Sequence, residues 1–224
     1  MQGQKASLEW RAGDVPVSTR FDDPYFSFDN GLEETRHVFL RGNGLPDRFA
    51  DGFHIGELGF GTGLNFLTTL QAWRASGAKV RLHFTSFEAY PMPVVALMRA
   101  LRGFAGLPVE VFADYQSDIP VPARIDGPDF TLSIIEGDAR VTLPVWQGRV
   151  DAWYLDGFSP ARNPELWEPA LMREVARHTC PGGTAATYTA AGFVRRGLAD
   201  AGFVVSREAG YGRKRHMTTA RLPV

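Results

Sequence analysis

The segment Glu57-Leu58-Gly59-Phe60-Gly61-Thr62-Gly63 places glycine at every second position. Glycine lets a backbone turn sharply and come close to a ligand. The apolar run 53–58 precedes this loop. After it, Leu64, Phe66, Leu67, Leu70 and Trp73 recur at helical spacing through residue 75. A strand, a glycine turn and a helix in that order open a nucleotide-binding α/β unit. The dinucleotide fingerprint G-x-G-x-x-G would need its third glycine at residue 64, which is Leu64. The loop therefore reads as a site for S-adenosyl-L-methionine (SAM) rather than for a nicotinamide dinucleotide. SAM ends in an amino acid and not a pyrophosphate, so a phosphate-binding helix N-terminus is not required. Glycines alone would also suit a purely structural strand–helix turn.

Acidic residues at later strand ends add to the loop. Glu88 closes the run 80–87, about one βαβ unit further on, where an acid accepts hydrogen bonds from ribose hydroxyls. Asp138 follows the run 130–135. It could accept the exocyclic amine of adenine or cap the helix that starts in Gly137-Asp138-Ala139-Arg140, and the two roles are compatible. Glu57 could hold the ammonium of the methionine moiety, directly or through water. Phe60 and Thr62, inside the loop, belong to the same cofactor set. Asp156 ends the run 150–155 in Leu155-Asp156-Gly157-Phe158. A carboxylate there could orient an acceptor amine and take its proton, since an alkylamine is mostly protonated near neutral pH. A turn or cap role is the alternative. Tyr25, Phe26, Phe60, Phe158 and Trp167 could stack on a base, or serve as core. The five histidines show no ligand spacing and there is one cysteine, Cys180, so no metal site is expected.

The chain has 224 residues, 24 Lys and Arg against 25 Asp and Glu, and a formal net charge of −1. Any nucleic-acid footprint must then be local. Arg213-Lys214-Arg215 is the candidate, with Arg195-Arg196 upstream; a solvated surface is the competing reading. No apolar run approaches membrane-spanning length, the start lacks a signal-peptide core, and the single cysteine suits a reducing cytoplasm.

The elements that must position these residues alternate between short apolar runs and helical stretches, the mark of a largely parallel α/β sheet. Strands are expected over 53–58, 80–87, 130–135, 150–155, 184–189, 203–207 and 214–222, the last two as an antiparallel hairpin. A further short strand is conceivable over 109–112. Helices are expected over 64–75, from Pro91 to about Gly103, over 164–178 and over 191–200, with Pro181-Gly182-Gly183 as a stop and turn. Seven strands match the class I SAM-dependent methyltransferase (Rossmann-like) fold. Residues 1–50 read as an N-terminal cover of short strands and turns, and residues 51–224 as the SAM-binding domain.

Several segments occur in a telling order: Phe21-Asp22-Asp23-Pro24-Tyr25-Phe26-Ser27, Asn30-Gly31-Leu32-Glu33-Glu34-Thr35, the loop at 57–67, Tyr154-Leu155-Asp156-Gly157-Phe158-Ser159-Pro160 and Gly212-Arg213-Lys214-Arg215. From about residue 8 to 220 the chain resembles the tRNA 5-methylaminomethyl-2-thiouridine methyltransferase family. The resemblance implies methyl transfer from SAM to the aminomethyl nitrogen of a modified wobble uridine in tRNA. It implies that Glu57 to Asn65 and Glu88 hold SAM and that Asp156 faces the amine. Tyr25 and Phe158 join Arg213, Lys214 and Arg215 as substrate-binding candidates. Bifunctional members carry an FAD-dependent oxidase domain that prepares the amine. The chain looks like the stand-alone form or an isolated domain, with an oxidase as a partner or a fused neighbour. Methylation of another RNA position or of a small amine, a nicotinamide oxidoreductase, and a non-catalytic RNA-binding module are the competing readings.

Overall fold

The computed structural model describes residues 5–27, 30–115 and 117–224. The part of the expected cover at 1–4 and 28–29 lies outside the described residues. A small antiparallel sheet comes first: β1 (Leu8–Arg11), β2 (Val15–Ser18) and β3 (Asp23–Pro24). Helix α1 (Gly31–Thr35) follows. The Asn30 side chain caps it by accepting from the Glu33 N–H at 3.1 Å. The chain continues through a π-turn, Arg36–Leu40, and a 3-10 turn, Arg41–Asn43.

The main sheet comprises β4 (His54–Leu58), β5 (Leu82–Glu88), β6 (Arg124–Asp126), β7 (Phe130–Glu136), β8 (Val150–Leu155), β9 (Thr179–Thr187), β10 (Val204–Ala209) and β11 (His216–Arg221). Its order is β10-β11-β9-β8-β4-β5-β7-β6. Strands β9, β8, β4, β5 and β7 pair in parallel, while β6, β10 and β11 pair antiparallel to their neighbours. Its helices are α2 (Leu64–Ala75), α3 (Val94–Leu101), α4 (Ala139–Val145), α5 (Pro169–Arg177) and α6 (Gly192–Asp200). Strand order reverses at β4, which has β5 on one side and β8 on the other. Open α/β sheets bind ligands at such a switch point.

Strand β8 shows how the two faces are filled. Ala152 and Tyr154 join the core on the side of α2 and α3; Trp153 and Leu155 join the core on the side of α4, α5 and α6. That is the period-two alternation of a strand covered on both faces. Each large side chain buried this way contributes roughly 1.5–3 kcal/mol. Val38, Phe39, Leu40 and Leu45, from the N-terminal fifth of the chain, pack into the first of these cores. Among the described residues, no helix is long and apolar enough to cross a membrane.

Four expectations change. The main sheet has eight strands, because the short β6 pairs along the outer edge of β7. Residues 109–112 are not a strand but part of a 3-10 turn, Val109–Tyr115. The β7 edge is already occupied by β6, and Phe112 is buried against Phe60 and Phe66 instead. The helix expected over 164–178 breaks into a 3-10 turn, Pro164–Trp167, and α5. Pro169 has no N–H to continue a helix, and it holds Glu168 extended at ψ 145°. Pro181-Gly182-Gly183 does not end an element. It lies inside β9, where the register with β8 shifts between Val150 and Ala152. Gly182 takes φ +74° there, so the irregularity is absorbed as a bulge.

Candidate active site

A cavity of about 590 Å³ opens beyond the ends of β4, β5, β7 and β8. Its wall includes Gly59, Phe60, Gly61, Thr62 and Asn65 from the loop and the start of α2, Glu88 at the end of β5, Asp138 after β7, and Asp156 and Phe158 after β8. The segment at 20–27 and helix α1 close it from above, through Tyr25, Phe26, Glu34 and Thr35.

The loops after β4 and β8 touch. Asp156 N–H donates to the Leu58 carbonyl at 3.1 Å, and Gly59 N–H donates to the Phe87 carbonyl at 2.9 Å. Gly59 has φ +92°, and a Cβ there would lie 2.5 Å from the Asp156 carbonyl oxygen. Only glycine allows this approach. Gly61, at φ +54°, leaves room for the Tyr25 ring, which a Cβ would meet at 3.1 Å. Gly63 caps α2 in the left-handed region and does not line the cavity.

Glu88 accepts the Gly61 N–H at 3.0 Å through one carboxylate oxygen and the Tyr90 N–H at 2.8 Å through the other. Burial raises its pKa, and these backbone donors oppose the rise. The Phe60 and Ala89 N–H groups face the same carboxylate. Asp138 caps α4 by accepting the Arg140 N–H at 2.9 Å, and its carboxylate also meets the Arg140 guanidinium at 2.7 Å. Those contacts hold its pKa below the usual value.

Asn65 is the centre of a buried polar chain. Its amide nitrogen donates to Asp156 Oδ2 at 2.6 Å and to Glu57 Oε1 at 2.9 Å. Its oxygen accepts from the Thr35 hydroxyl at 3.0 Å. Glu57 Oε2 accepts from the Ser86 hydroxyl at 2.7 Å. Glu57 is fully buried and does not line the cavity, so it meets the site only through Asn65. Burial pushes its pKa up to about 8, against the pull of the Ser86 and Asn65 hydrogen bonds. Asp156 does line the cavity. Burial raises its pKa to about 7; the Asn65 hydrogen bond and the Lys214 charge oppose that shift, and Glu34 adds to it.

The aromatic candidates separate. Tyr25 and Phe158 meet edge to face at 5.1 Å in the wall, and Phe21 stacks on Phe158 at 4.7 Å. Trp167 is core: it is buried and supports the segment by donating from Nε1 to the Phe158 carbonyl at 2.9 Å. The basic triplet separates too. Lys214 Nζ lies 2.7 Å from Glu34 Oε1 and 4.2 Å from the centre of the Tyr188 ring, inside the site. Arg213 also lines the cavity, whereas Arg215 is exposed and does not. Glu34, Thr35 and Tyr188 had not been singled out as site residues. The Asn30 cap marks the turn that carries the first two. Tyr188 follows β9 with no local signal of its role.

These residues suit SAM. The molecule carries a sulfonium and an ammonium, and the wall offers the carboxylates of Asp23, Glu34, Glu88 and Asp156. The cavity volume is also within the range that encloses a ligand of that size. When bound, SAM supplies an electrophilic methyl group. Glu88, in the cavity wall, would take the ribose hydroxyls, and the loop at 59–62 would face the remainder.

The model of a family described as S-adenosyl-L-methionine-dependent methyltransferase matches residues 109–223. The chain is 44% identical over 230 residues to the tRNA 5-methylaminomethyl-2-thiouridine biosynthesis bifunctional protein MnmC of Stutzerimonas stutzeri, covering 98% of this chain and 35% of that protein. It is 46% identical to the protein of the same name from Aeromonas salmonicida, over 93% of this chain and 34% of that one. The chain thus spans about a third of the length of the curated relatives it matches. Among solved structures, MNMC2 from Aquifex aeolicus superposes with a TM-score of 0.76 at 22% identity, covering 100% of this chain and 73% of that chain. Spermidine synthase from Thermotoga maritima superposes at 0.56 and 7% identity, over 96% and 71%. These two likenesses concern the fold.

Proposed function

This chain belongs to the S-adenosyl-L-methionine-dependent methyltransferase family, and we propose that it methylates the aminomethyl nitrogen of 5-aminomethyl-2-thiouridine at the wobble position of tRNA. The observation that carries this reading is the Asp156 carboxylate, aimed by Asn65 at the edge of an aromatic-walled cavity. The names of the MnmC relatives support the substrate class. In this reading an oxidase, fused or separate, supplies the amine, and the reaction takes place in the cytoplasm. Residues 1–50 act as the cover and 51–224 as the SAM-binding domain.

The acceptor arrives mostly as an ammonium and must lose a proton to become a nucleophile. Asp156 accepts a hydrogen bond from that nitrogen and takes the proton, because its pKa near 7 suits proton transfer at neutral pH. Tyr25 and Phe158, in contact with each other edge to face, give the base an aromatic wall to rest on and fix the nitrogen in line with the methyl group. The Tyr188 hydroxyl donates to the Gly157 carbonyl at 2.8 Å, which anchors the turn beyond Asp156. Burial raises the Tyr188 pKa, so the phenol stays neutral. Glu88 and Asp138 serve the ribose and adenine of SAM.

The test is incubation with SAM and tRNA carrying 5-aminomethyl-2-thiouridine, followed by nucleoside mass analysis. The expected product is that nucleoside heavier by one methylene. A protein that binds SAM yet leaves the nucleoside unchanged would overturn the assignment. Transfer to another nucleoside, or to a free small amine alone, would redirect it.

A further inference from the structure

A second cavity, of about 310 Å³, is built largely from the N-terminal segment. Lys5, Ser7, Ser18, Arg20 and Tyr90 contribute to its wall. Arg20, Phe21, Tyr25 and Tyr90 line both this cavity and the larger one, while Lys5, Ser7 and Ser18 line this one alone. The rings of Phe21 and Tyr25 also contact Phe158, two residues beyond Asp156. The second cavity therefore begins one ring's width from the segment that faces the acceptor.

Its wall carries two cations and no carboxylate. The Arg20 guanidinium lies 4.6 Å from the centre of the Tyr90 ring, and among the described residues it pairs with no acid. Lys5 donates to the Asp118 carbonyl at 3.3 Å, and its ammonium has further donors to offer. The Ser7 hydroxyl accepts from Thr19 at 2.7 Å and retains its own proton to donate. An arginine stacked on an aromatic ring, beside a lysine and hydroxyls, matches a phosphodiester with an adjoining flat base. It does not match a second SAM, whose charges are largely cationic and need acids.

We propose that this cavity binds the nucleotide next to the acceptor nucleotide in the RNA. Its phosphodiester lies at Lys5 and Arg20, and its base lies on the Tyr90–Arg20 stack. Phe21 and Tyr25 then part the two bases, holding the neighbour outside while the acceptor base enters the larger cavity. The proposal rests on the tRNA reading above and extends it from one nucleotide to two.

The test is equilibrium binding of a fluorescent anticodon stem-loop, across a salt series, to wild type, Lys5→Met, Arg20→Met and, as a charge control, Lys79→Met on the α2–β5 turn. Lys5, Arg20 and Lys79 are exposed, so the substitutions spare the core. Lys5→Met and Arg20→Met should each weaken binding about tenfold and reduce the slope of log K against log salt by about 1. Lys79→Met should leave both unchanged. Lys5→Met should also keep the wild-type rate on the free nucleoside. Wild-type affinity in both variants, equal weakening in Lys79→Met, or no stem-loop binding by wild type would each overturn the subsite. Subsite-dependent binding without methyl transfer would overturn the acceptor assignment alone.

Discussion

The Asn65 amide donates to the Asp156 carboxylate at 2.6 Å, tying the first turn of α2 to the segment after β8. The same nitrogen reaches Glu57, and the Asn65 oxygen is held by Thr35 from the cover. One side chain thus sets the direction of a carboxylate in the cavity wall.

Asn65→Ala should leave two buried carboxylates without their shared donor. We expect a loss of ~2–4 kcal/mol in stability and about a hundredfold slower methyl transfer from misplacement of Asp156. Urea melts and single-turnover rates measure both. Wild-type kinetics in a folded Asn65→Ala would show that Asp156 is aimed by something else.

The transfer rate should rise with pH through about 7, as Asp156 loses its proton and becomes able to accept one. Asp156→Asn keeps the shape but cannot take the proton. It should bind SAM normally and lose most of its turnover. A pH–rate profile of the wild type, read beside SAM titration of the variant, checks this; undiminished turnover in Asp156→Asn would remove the residue from the mechanism.

Glu57 has a folded-state pKa of about 8, above its ordinary 4.5. Between those values the folded protein holds a proton that the unfolded chain has released. Stability therefore falls as pH rises through that window, and the loss is complete above 8. Glu57→Gln does not titrate. It should match wild type near pH 5 and exceed it by roughly 1–4 kcal/mol near pH 9. Parallel denaturation curves at the two pH values would count against a buried, protonated Glu57.

Gly59→Ala combines a positive φ with a Cβ placed 2.5 Å from the Asp156 carbonyl. The loops after β4 and β8 must separate to admit it. We expect ~2–4 kcal/mol of destabilisation and a weakened hold on SAM, read by thermal melts with and without the cofactor. Gly52→Ala, in a turn where a Cβ meets nothing within 4 Å, is the control for positive φ alone.

The sequence by itself determined the parallel α/β sheet, the glycine loop and the placing of Glu88, Asp138 and Asp156 after strands. Those follow from local rules: apolar periodicity marks the elements, and strand ends in such sheets face one crevice. It also placed the β10–β11 hairpin. Only the tertiary structure decided what lies across the crevice from what. Glu57 and Asn65 are close in sequence, but Asn65 becomes a bridge only because the turn after β8 comes alongside α2. Lys214 sits in a run of cations that reads equally as a local RNA footprint or as solvated surface. Folding brings it against Glu34 and Tyr188, from the other end of the chain and from the end of β9. The strand at 109–112 failed for a related reason: its residues favour a strand, but pairing needs a free edge, and β6 had taken it. Local pattern reports a residue's backbone and its exposure preference. Its partners depend on distances between segments far apart in the chain, which packing alone sets.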